Sequence, residues 1–324
     1  MYFALARIAE RSFRKVESFA DLRSYWDAPD ARFWIDLEQP TADELAALDS
    51  LIDLSDAALE DCLHGDQSPR LDEFDDYVFA MLSGAFDLGG DGQFEPKKLA
   101  VFCGGRYLVT VHRTPLSVIS QLREKSEKHP EQVMRNGPDA LFCLIVGKMV
   151  ENLSRSAQRF QARLEELEEE SLTNTSSVEV LKEVAALRRD LLSIRRVAAA
   201  QRDQLEPLAL GEYDYVSESL GRQFDRERGH LDDAVQQIDS MRERLRGVVD
   251  NYRAWVAVQT NEIMRRMTIL GTIMLPLSLI AGFFGMNVPL GGIGTSPASV
   301  WLILSGMAAL VSVMLYYFRR RHWI

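Results

Sequence analysis

The chain of 324 residues contains few cysteines and histidines, and neither residue type follows a metal-binding pattern. Its three cysteines, Cys62, Cys103 and Cys143, lie far apart, with no Cys-x-x-Cys pair and no histidine at metal-ligand spacing. This arrangement argues against a structural zinc site and against a disulfide-stabilised fold. We therefore expect buried thiols in a reducing compartment.

Motifs of enzyme active sites are also missing. The sequence has no nucleophile motif and no glycine loop of the phosphate-binding type. The histidines His64, His112, His129 and His230 are scattered among predicted helices and strands, where surface or core positions explain them. We predict that the protein is not an enzyme and that it holds no cofactor.

Charge is absent from one long stretch, residues 267–318, whereas elsewhere charged residues occur every few positions. The net charge is −11, but residues 261–324 contain five arginines against Glu262, so the first 260 residues carry −15. An acidic body of this size repels nucleic acid and attracts cations, although many soluble proteins are equally acidic for solubility alone. The apolar run at the start of the chain is too short for a signal peptide, so we expect the N-terminus to stay in the cytoplasm.

Residues 1–113 predict an α+β cytoplasmic domain in which helices accompany an antiparallel sheet. Thr41 can cap a helix over Thr41–Leu51, because Glu44 completes a capping box, and Ser55–Leu63 repeats this pattern more weakly. Glycines separate the last three predicted strands, which favours an antiparallel meander. The five predicted strands are Tyr2–Ile8, Arg32–Leu37, Tyr77–Phe86, Lys98–Phe102 and Tyr107–His112.

Helical periodicity replaces the strand pattern after Pro115. Two long helices are predicted, from Asp139 to about Glu170 and from Val178 to Leu205, with the second stopped near Pro207. They should form an antiparallel hairpin within residues 114–210.

A third helix is predicted from about residue 213 to 285, since no proline occurs between Tyr213 and Pro276. Its length would be roughly 105 Å at about 1.5 Å per residue. A single domain cannot bury a helix of that length. We therefore expect residues 211–265 to form a stalk that packs against copies of itself.

Two uncharged apolar runs, Met267–Phe284 and Ala298–Phe318, each approach the roughly 20 residues that span a bilayer. A buried hairpin in a soluble core is the alternative, but flanking arginines are typical of membrane spans. The positive-inside rule places both ends of this hairpin in the cytoplasm, with Trp323 as an interfacial aromatic. We expect the membrane to be a bacterial-type inner membrane. The predicted segments are a first span at 266–286, an outer loop at 287–297, a second span at 298–318 and a basic tail at 319–324.

Small and polar residues recur on one face of the first span. Two explanations are open: tight packing of helices through small residues, or the lining of a water-filled pore. Pro276 frees the carbonyl of Thr272, which is tolerated at membrane depth only where that carbonyl meets water, a hydroxyl group or protein. The stripe consists of Asn261, Met264, Thr268, Gly271, Leu275, Ser278, Gly282 and Gly285.

The stripe ends in Gly285-Met286-Asn287, directly after the proline-bearing first span and before the second. This sequence resembles the signature of the CorA-type divalent-cation transporters. The resemblance covers residues 250–324 well, including the terminal Arg-Arg-Arg-His-Trp-Ile, and the rest of the chain only in plan.

The resemblance implies a homopentameric funnel in which five first spans line a central pore. Gly285, Met286 and Asn287 would form the selectivity filter, where the Asn287 amides bind a hydrated cation through its outer shell. Met264, with Met267 or Thr268 beside it, resembles the family's hydrophobic gate. Arg319, Arg320 and Arg321 would surround a basic inner mouth.

Two features, one segment and one residue, differ from the magnesium-transporting members of that family. Acidic residues usually follow the signature in those members, whereas Val288–Gly294 is neutral here and resembles the zinc-transporter (ZntB) branch. The acidic residue that binds regulatory magnesium between subunits would fall on Arg226, beside Asp225. No Cys, His or carboxylate ligand for zinc lies within 267–318, so zinc would have to pass hydrated.

We therefore predict a membrane protein that moves divalent cations inward, with zinc favoured and nickel, cadmium, cobalt or magnesium as further cargo. Its partners would be its own copies, membrane lipid and the transported ions, but not nucleic acid. A CorA-like magnesium channel is the alternative within this class. A membrane-anchored scaffold or sensor is an alternative of another class, but it would need neither the signature nor the stripe.

Overall fold

The structure is a computed structural model that describes residues 2–9, 12–64, 69–88, 94–173, 178–286 and 297–323. The chain divides into two compact units, Met1–Val248 and Val249–Ile324. A long helix, α8, contributes residues to both units.

The first unit contains a seven-stranded mixed sheet with the strand order β2-β1-β3-β7-β6-β5-β4. The predicted meander of β5, β6 and β7 is confirmed, because each of these strands pairs antiparallel with the next. The sheet predicted as antiparallel is mixed, since β3 pairs parallel with β7. A parallel pair needs a long crossover, which the helices and strands between β3 and β7 provide. The strands are β1 (Tyr2–Ala9), β2 (Ser12–Val16), β3 (Arg32–Glu38), β4 (Arg70–Glu73), β5 (Tyr77–Leu88), β6 (Phe94–Gly104) and β7 (Tyr107–His112).

Seven helices accompany this sheet among the described residues of the first unit. The predicted capping box is present, because the Glu44 amide donates to the Thr41 hydroxyl (3.2 Å) and the Thr41 amide donates to the Glu44 carboxylate (2.8 Å). The helices are α1 (Phe19–Trp26), α2 (Ala42–Ile52), α3 (Asp56–His64), α4 (Ser117–Lys128), α5 (Pro130–Met134), α6 (Pro138–Thr173) and α7 (Val178–Leu210).

Pro207 does not stop α7, which continues to Leu210. Proline lacks the amide that would donate to the carbonyl of Asp203, but the helix continues for three residues beyond it. The helix ends instead at Gly211, whose φ of +72° is a left-handed conformation that suits glycine.

The sheet lies between two layers of helices. One face packs Phe33, Ile35 and Leu37 of β3 against Leu22 of α1 and Leu48 of α2 in the main apolar core. The other face carries Trp34 and Asp36 toward α4, and α6 and α7 pack across β5 and β6. The three cysteines are buried and free of disulfides, as the sequence predicts.

Helix α8 covers Gly221–Phe284, so the prediction of one very long helix is confirmed, with a start eight residues later than expected. A short 3₁₀ turn, Glu218–Leu220, precedes it. Its buried positions in the first unit, from Phe224 to Val248, recur at helical spacing. The second unit consists of the remainder of α8 and helix α9 (Pro297–Arg320), and both helices are long and apolar enough to cross a membrane.

Candidate functional site

The predicted stripe forms one exposed face of α8. All eight of its positions are exposed, and the large side chains Met264 and Leu275 are 60% and 73% exposed. Met267, the other gate candidate, is exposed beside them. The structure therefore brings the predicted pore-lining residues together on a single surface.

The opposite face of α8 is half-buried. The half-buried strip of α8 includes Arg265, whose guanidinium donates to the His322 carbonyl just after α9, so this side of α8 faces α9. The stripe consequently points away from α9. From residue 261 onward, the half-buried positions are Glu262, Arg265, Ile269, Ile273, Pro276, Leu277 and Ile280 on α8, and Ile303, Met307, Leu310, Val311 and Met314 on α9.

The glycines of the stripe are not required by packing within the chain. A Cβ atom added at Gly271 or Gly282 would meet no atom within 4 Å. Of the two explanations for the stripe, close packing against α9 is therefore unsupported. Small side chains here leave room for another copy of the chain or for water.

Threonine side chains near the stripe satisfy their donors inside the helix. The Thr268 hydroxyl donates to the Met264 carbonyl (2.8 Å), and the Thr272 hydroxyl donates to the Thr268 carbonyl (2.7 Å). Each hydroxyl oxygen keeps lone pairs that can still accept hydrogen bonds. This face can therefore accept hydrogen bonds from the water shell of a cation without offering it a charge.

The predicted filter begins where α8 ends. After Phe284, the Gly285 amide donates to the Ala281 carbonyl (2.9 Å) and the Met286 amide donates to the Phe283 carbonyl (3.4 Å). A Cβ at Gly285 would lie 3.0 Å from the Ala281 carbonyl oxygen, so glycine suits this tight exit. Asn287 and the predicted outer loop through residue 296 lie outside the described residues.

Basic residues lie at the other end of the two predicted spans. Arg319 and Arg320 lie in the last turn of α9, where their positive charge is attracted by the negative end of the helix dipole. All three predicted inner-mouth arginines are exposed, and the Arg321 guanidinium lies 5.9 Å from the Tyr317 ring centroid. Trp323 stacks on Phe318. Sequence reasoning missed this contact, although a spacing of five residues at a helix end could have indicated it.

The regulatory-site position on α8 carries a different pattern of charge. Arg226 is exposed, and the adjacent Asp225 accepts a hydrogen bond from Arg228 (2.8 Å). Glu227 and His230 line a cavity of about 880 Å³ next to α6. Across the described ranges, no three His, Cys, Asp or Glu side chains are grouped closely enough to hold a metal ion.

Comparison with known proteins identifies relatives over nearly the full chain. A Bacillus subtilis protein named metal ion transporter YfjQ is 29% identical over 305 residues, which is 92% of each chain. The cobalt/magnesium transport protein CorA of Methanocaldococcus jannaschii is 26% identical over 90% of this chain and 91% of its own length. The complete structure of the M. jannaschii CorA magnesium transporter superposes with a TM-score of 0.85, covering 99% of this chain and 98% of that one at 25% identity.

Similarity to the zinc branch is shorter. The zinc transport protein ZntB of Yersinia pseudotuberculosis is 27% identical over 144 residues, 44% of this chain and 43% of the relative. The ZntB-like assignment therefore has little support beside the full-length similarity to CorA. The family itself consists of transporters, in agreement with the prediction that the chain is not an enzyme. Because residues 30–320 match the family model described as CorA-like Mg2+ transporter protein, the chain belongs to the CorA family.

Proposed function

We propose that the protein transports divalent metal cations inward through a pore that the stripe of α8 lines in a homopentamer. The exposure of the stripe carries this proposal. Its positions, from Asn261 to Gly285, form one uncharged face that is turned away from α9 and that leads to Gly285-Met286-Asn287. A helix that served only as an anchor would need neither feature.

The chemistry of this face suits a hydrated cation. Magnesium releases its water reluctantly, so a filter can bind the ion through outer-shell hydrogen bonds. The Asn287 amide oxygen would accept bonds from that water at the outer mouth, and Thr268 can accept them along the pore. Zinc or another transition metal would pass in the same hydrated form, since residues 267–318 contain no zinc ligand.

Met264 and Met267 are the proposed gate. Both side chains are exposed and apolar near the inner end of the span. A ring of such side chains, one set from each copy, can close a pore by excluding water rather than by filling it. The gate would open when the inner ends of the α8 helices move apart.

The proposed topology places both termini on the cytoplasmic side of a bacterial inner membrane. Arg265 and Arg266 precede the first span, and Arg319–Arg321 follow the second, which supports this orientation by the positive-inside rule. Exposed apolar side chains on both helices, among them Leu279, Leu302 and Val313, supply surfaces for lipid or for neighbouring copies.

Zinc is the proposed cargo on one observation, the neutral segment Val288–Gly294 after the signature. Magnesium or cobalt is the alternative, supported by the full-length relative that is named a cobalt/magnesium transport protein. A competition assay separates them: purified protein in liposomes takes up one metal while a second is titrated. We expect zinc to compete more strongly than magnesium, and the reverse order would assign the chain to magnesium transport.

The same assay distinguishes transport from scaffolding. Liposomes that contain the protein should accumulate metal faster than empty liposomes and faster than liposomes with an unrelated two-span protein. Absence of flux for zinc, cobalt, nickel, cadmium and magnesium alike would reject the transport proposal and favour a membrane-anchored scaffold.

A further inference from the structure

The end of α9 is closed by a Schellman motif, a pair of hydrogen bonds that turns the chain back at a helix C-terminus. The His322 amide donates to the Arg319 carbonyl (3.1 Å), and the Trp323 amide donates to the Phe318 carbonyl (2.9 Å). His322 adopts the left-handed conformation, with φ of +57°. Helix α7 closes in the same way, with Gly211 at the left-handed position. Glycine adopts this conformation freely, whereas a residue with a side chain, such as His322, is strained in it. Other contacts must therefore hold the turn at His322.

A stacked pair of aromatic rings supplies the first contact. The rings of Trp323 and Phe318 lie 5.8 Å apart between centroids at an interplanar angle of 17°. Phe318 is 7% exposed, whereas its neighbours Tyr316 and Tyr317 are 68% and 56% exposed. Phe318 is also the one buried side chain described in the second unit. The stack accordingly anchors the tail.

Arg265 supplies the second contact, and it comes from the other helix. One guanidinium nitrogen donates to the His322 carbonyl (3.5 Å), and another pairs with the Glu262 carboxylate (2.8 Å). Arg266 reaches the same carboxylate (3.3 Å), but its side chain is 76% exposed, against 39% for Arg265. Two adjacent arginines of equal charge therefore differ in one respect: Arg265 holds the tail and Arg266 faces outward.

We propose that Glu262, Arg265, Phe318, His322 and Trp323 form a tail clasp that positions the inner end of the pore-lining helix. This inference rests on the proposed function, since it takes the stripe to line the pore. Met264 immediately precedes Arg265 and belongs to the exposed stripe. Any rotation of α8 that moves the Met264 gate must therefore carry the tail of α9 with it or break the clasp. The clasp makes the inner ends of the two spans move as one body.

Loss of the clasp should impair opening without altering metal binding at the filter, because Asn287 follows the opposite end of the span. We expect Arg265→Ala and Trp323→Ala each to lower the maximal uptake rate about tenfold, a usual size for coupling between two elements, with the half-saturating metal concentration unchanged. The double variant should be no worse than either single variant, since both remove the same device.

The variants are compared as full-length protein in liposomes, with cobalt as the probe ion. Arg266→Ala is the matched control, because it removes the same charge next to the same carboxylate and leaves the tail contact intact. Trp323→Phe is the conservative control, because it retains an aromatic ring for the stack. Both controls should transport at nearly the wild-type rate. Equal losses in Arg265→Ala and Arg266→Ala would show that local charge matters and would overturn the clasp.

A second measurement does not depend on transport. Carboxypeptidase digestion of the detergent-solubilised protein, followed by mass spectrometry, reports how firmly the tail is held. Release of C-terminal residues should be faster in Arg265→Ala than in Arg266→Ala or the wild type, and equal release in all three would reject the clasp. If no variant, including the wild type, takes up metal, the proposed function fails while digestion still decides whether the clasp exists.

Discussion

Asn287 carries the proposed selectivity, because it is the one amide side chain in Gly285-Met286-Asn287. Met286 and Val288 cannot replace its oxygen as a side-chain acceptor for the water of a hydrated cation. We expect Asn287→Ala to abolish or strongly reduce metal flux into liposomes while the oligomer remains intact. Asn251→Ala, an exposed asparagine of α8 outside the stripe, is the control. Wild-type flux in Asn287→Ala would mean that the residues of the mouth are structural.

The three cysteines of the first unit should not react with alkylating reagents in the folded protein. Burial, with the nearby charge of Asp61, raises the pKa of Cys62 to about 12. Burial, with the nearby charge of Glu227, raises the pKa of Cys143 to about 12, and burial raises the pKa of Cys103 as well. Only the thiolate reacts with alkylating reagents, and a raised pKa keeps the thiol neutral. Iodoacetamide should therefore leave the native protein unlabelled from about pH 7 to about pH 9 and label all three cysteines in denaturant. Mass spectrometry counts the labels, and a cysteine modified at pH 8 without denaturant would contradict the prediction.

At the scale of the element, the two membrane helices offer a matched pair of glycines. A Cβ would meet no atom within 4 Å at either Gly271 of α8 or Gly306 of α9, so neither position resists a larger side chain within the chain. Only Gly271 belongs to the stripe. We expect Gly271→Leu to block flux by filling the pore and Gly306→Leu to leave it close to wild type. Equal effects on flux, with both proteins assembled, would remove the stripe from the pore.

Elements with a strong apolar or polar pattern could be predicted from the sequence, whereas those at the margins of the fold could not. The long helix and the capping box at Thr41 depend on local spacing, which the sequence displays directly. Strands β2 and β4 were not predicted, because edge strands carry charged residues that hide the alternation, as in the Arg-Leu-Asp-Glu sequence of β4. Helices α1, α4 and α5 were missed as well.

The candidate site likewise has a part that the sequence pattern identifies and a part that it does not. The stripe follows from residues three or four apart on one helix, so spacing alone identifies it. The tail clasp joins Arg265 to His322, which lie far apart in sequence, and no local pattern encodes that contact. The buried Asp36 is similar, because its partners Thr110 and Arg123 come from β7 and α4. A carboxylate in a strand gives no sign in the sequence of being paired so far away.

At the scale of the whole molecule, the exposed apolar surface of the second unit requires partners. Val258, Ile263 and Leu270 of α8 are exposed in the single chain, and soluble monomers seldom leave such a surface uncovered. We expect five copies to assemble, so light scattering with the detergent contribution subtracted should give five times the chain mass of 36.7 kDa. A monomer or dimer under conditions that preserve transport would reject the pentamer.

Energy coupling is the second property of the whole assembly. Two positive charges that cross about 100 mV, negative inside, gain roughly 4.6 kcal/mol, counting about 2.3 kcal/mol per charge. This gain supports accumulation of more than about a thousandfold, at about 1.4 kcal/mol per tenfold. A proton relay within the membrane needs Asp, Glu or His, and residues 267–318 contain none. We therefore expect voltage to drive uptake without an ionisable relay in the spans.

The experiment sets voltage and pH gradient independently. Liposomes that contain the protein take up zinc while potassium and valinomycin fix the membrane potential, with and without a pH gradient. Uptake should rise as the interior becomes more negative and should be insensitive to the pH gradient at a fixed potential. Uptake driven by a pH gradient at zero voltage, and lost in Glu262→Gln, would instead place proton coupling at the inner mouth. Glu262 is the one acidic side chain within residues 261–324, and it also belongs to the clasp. Loss of both voltage-driven and pH-driven uptake in Glu262→Gln would therefore indicate a broken clasp, whereas loss of pH-driven uptake alone would place the protons at Glu262.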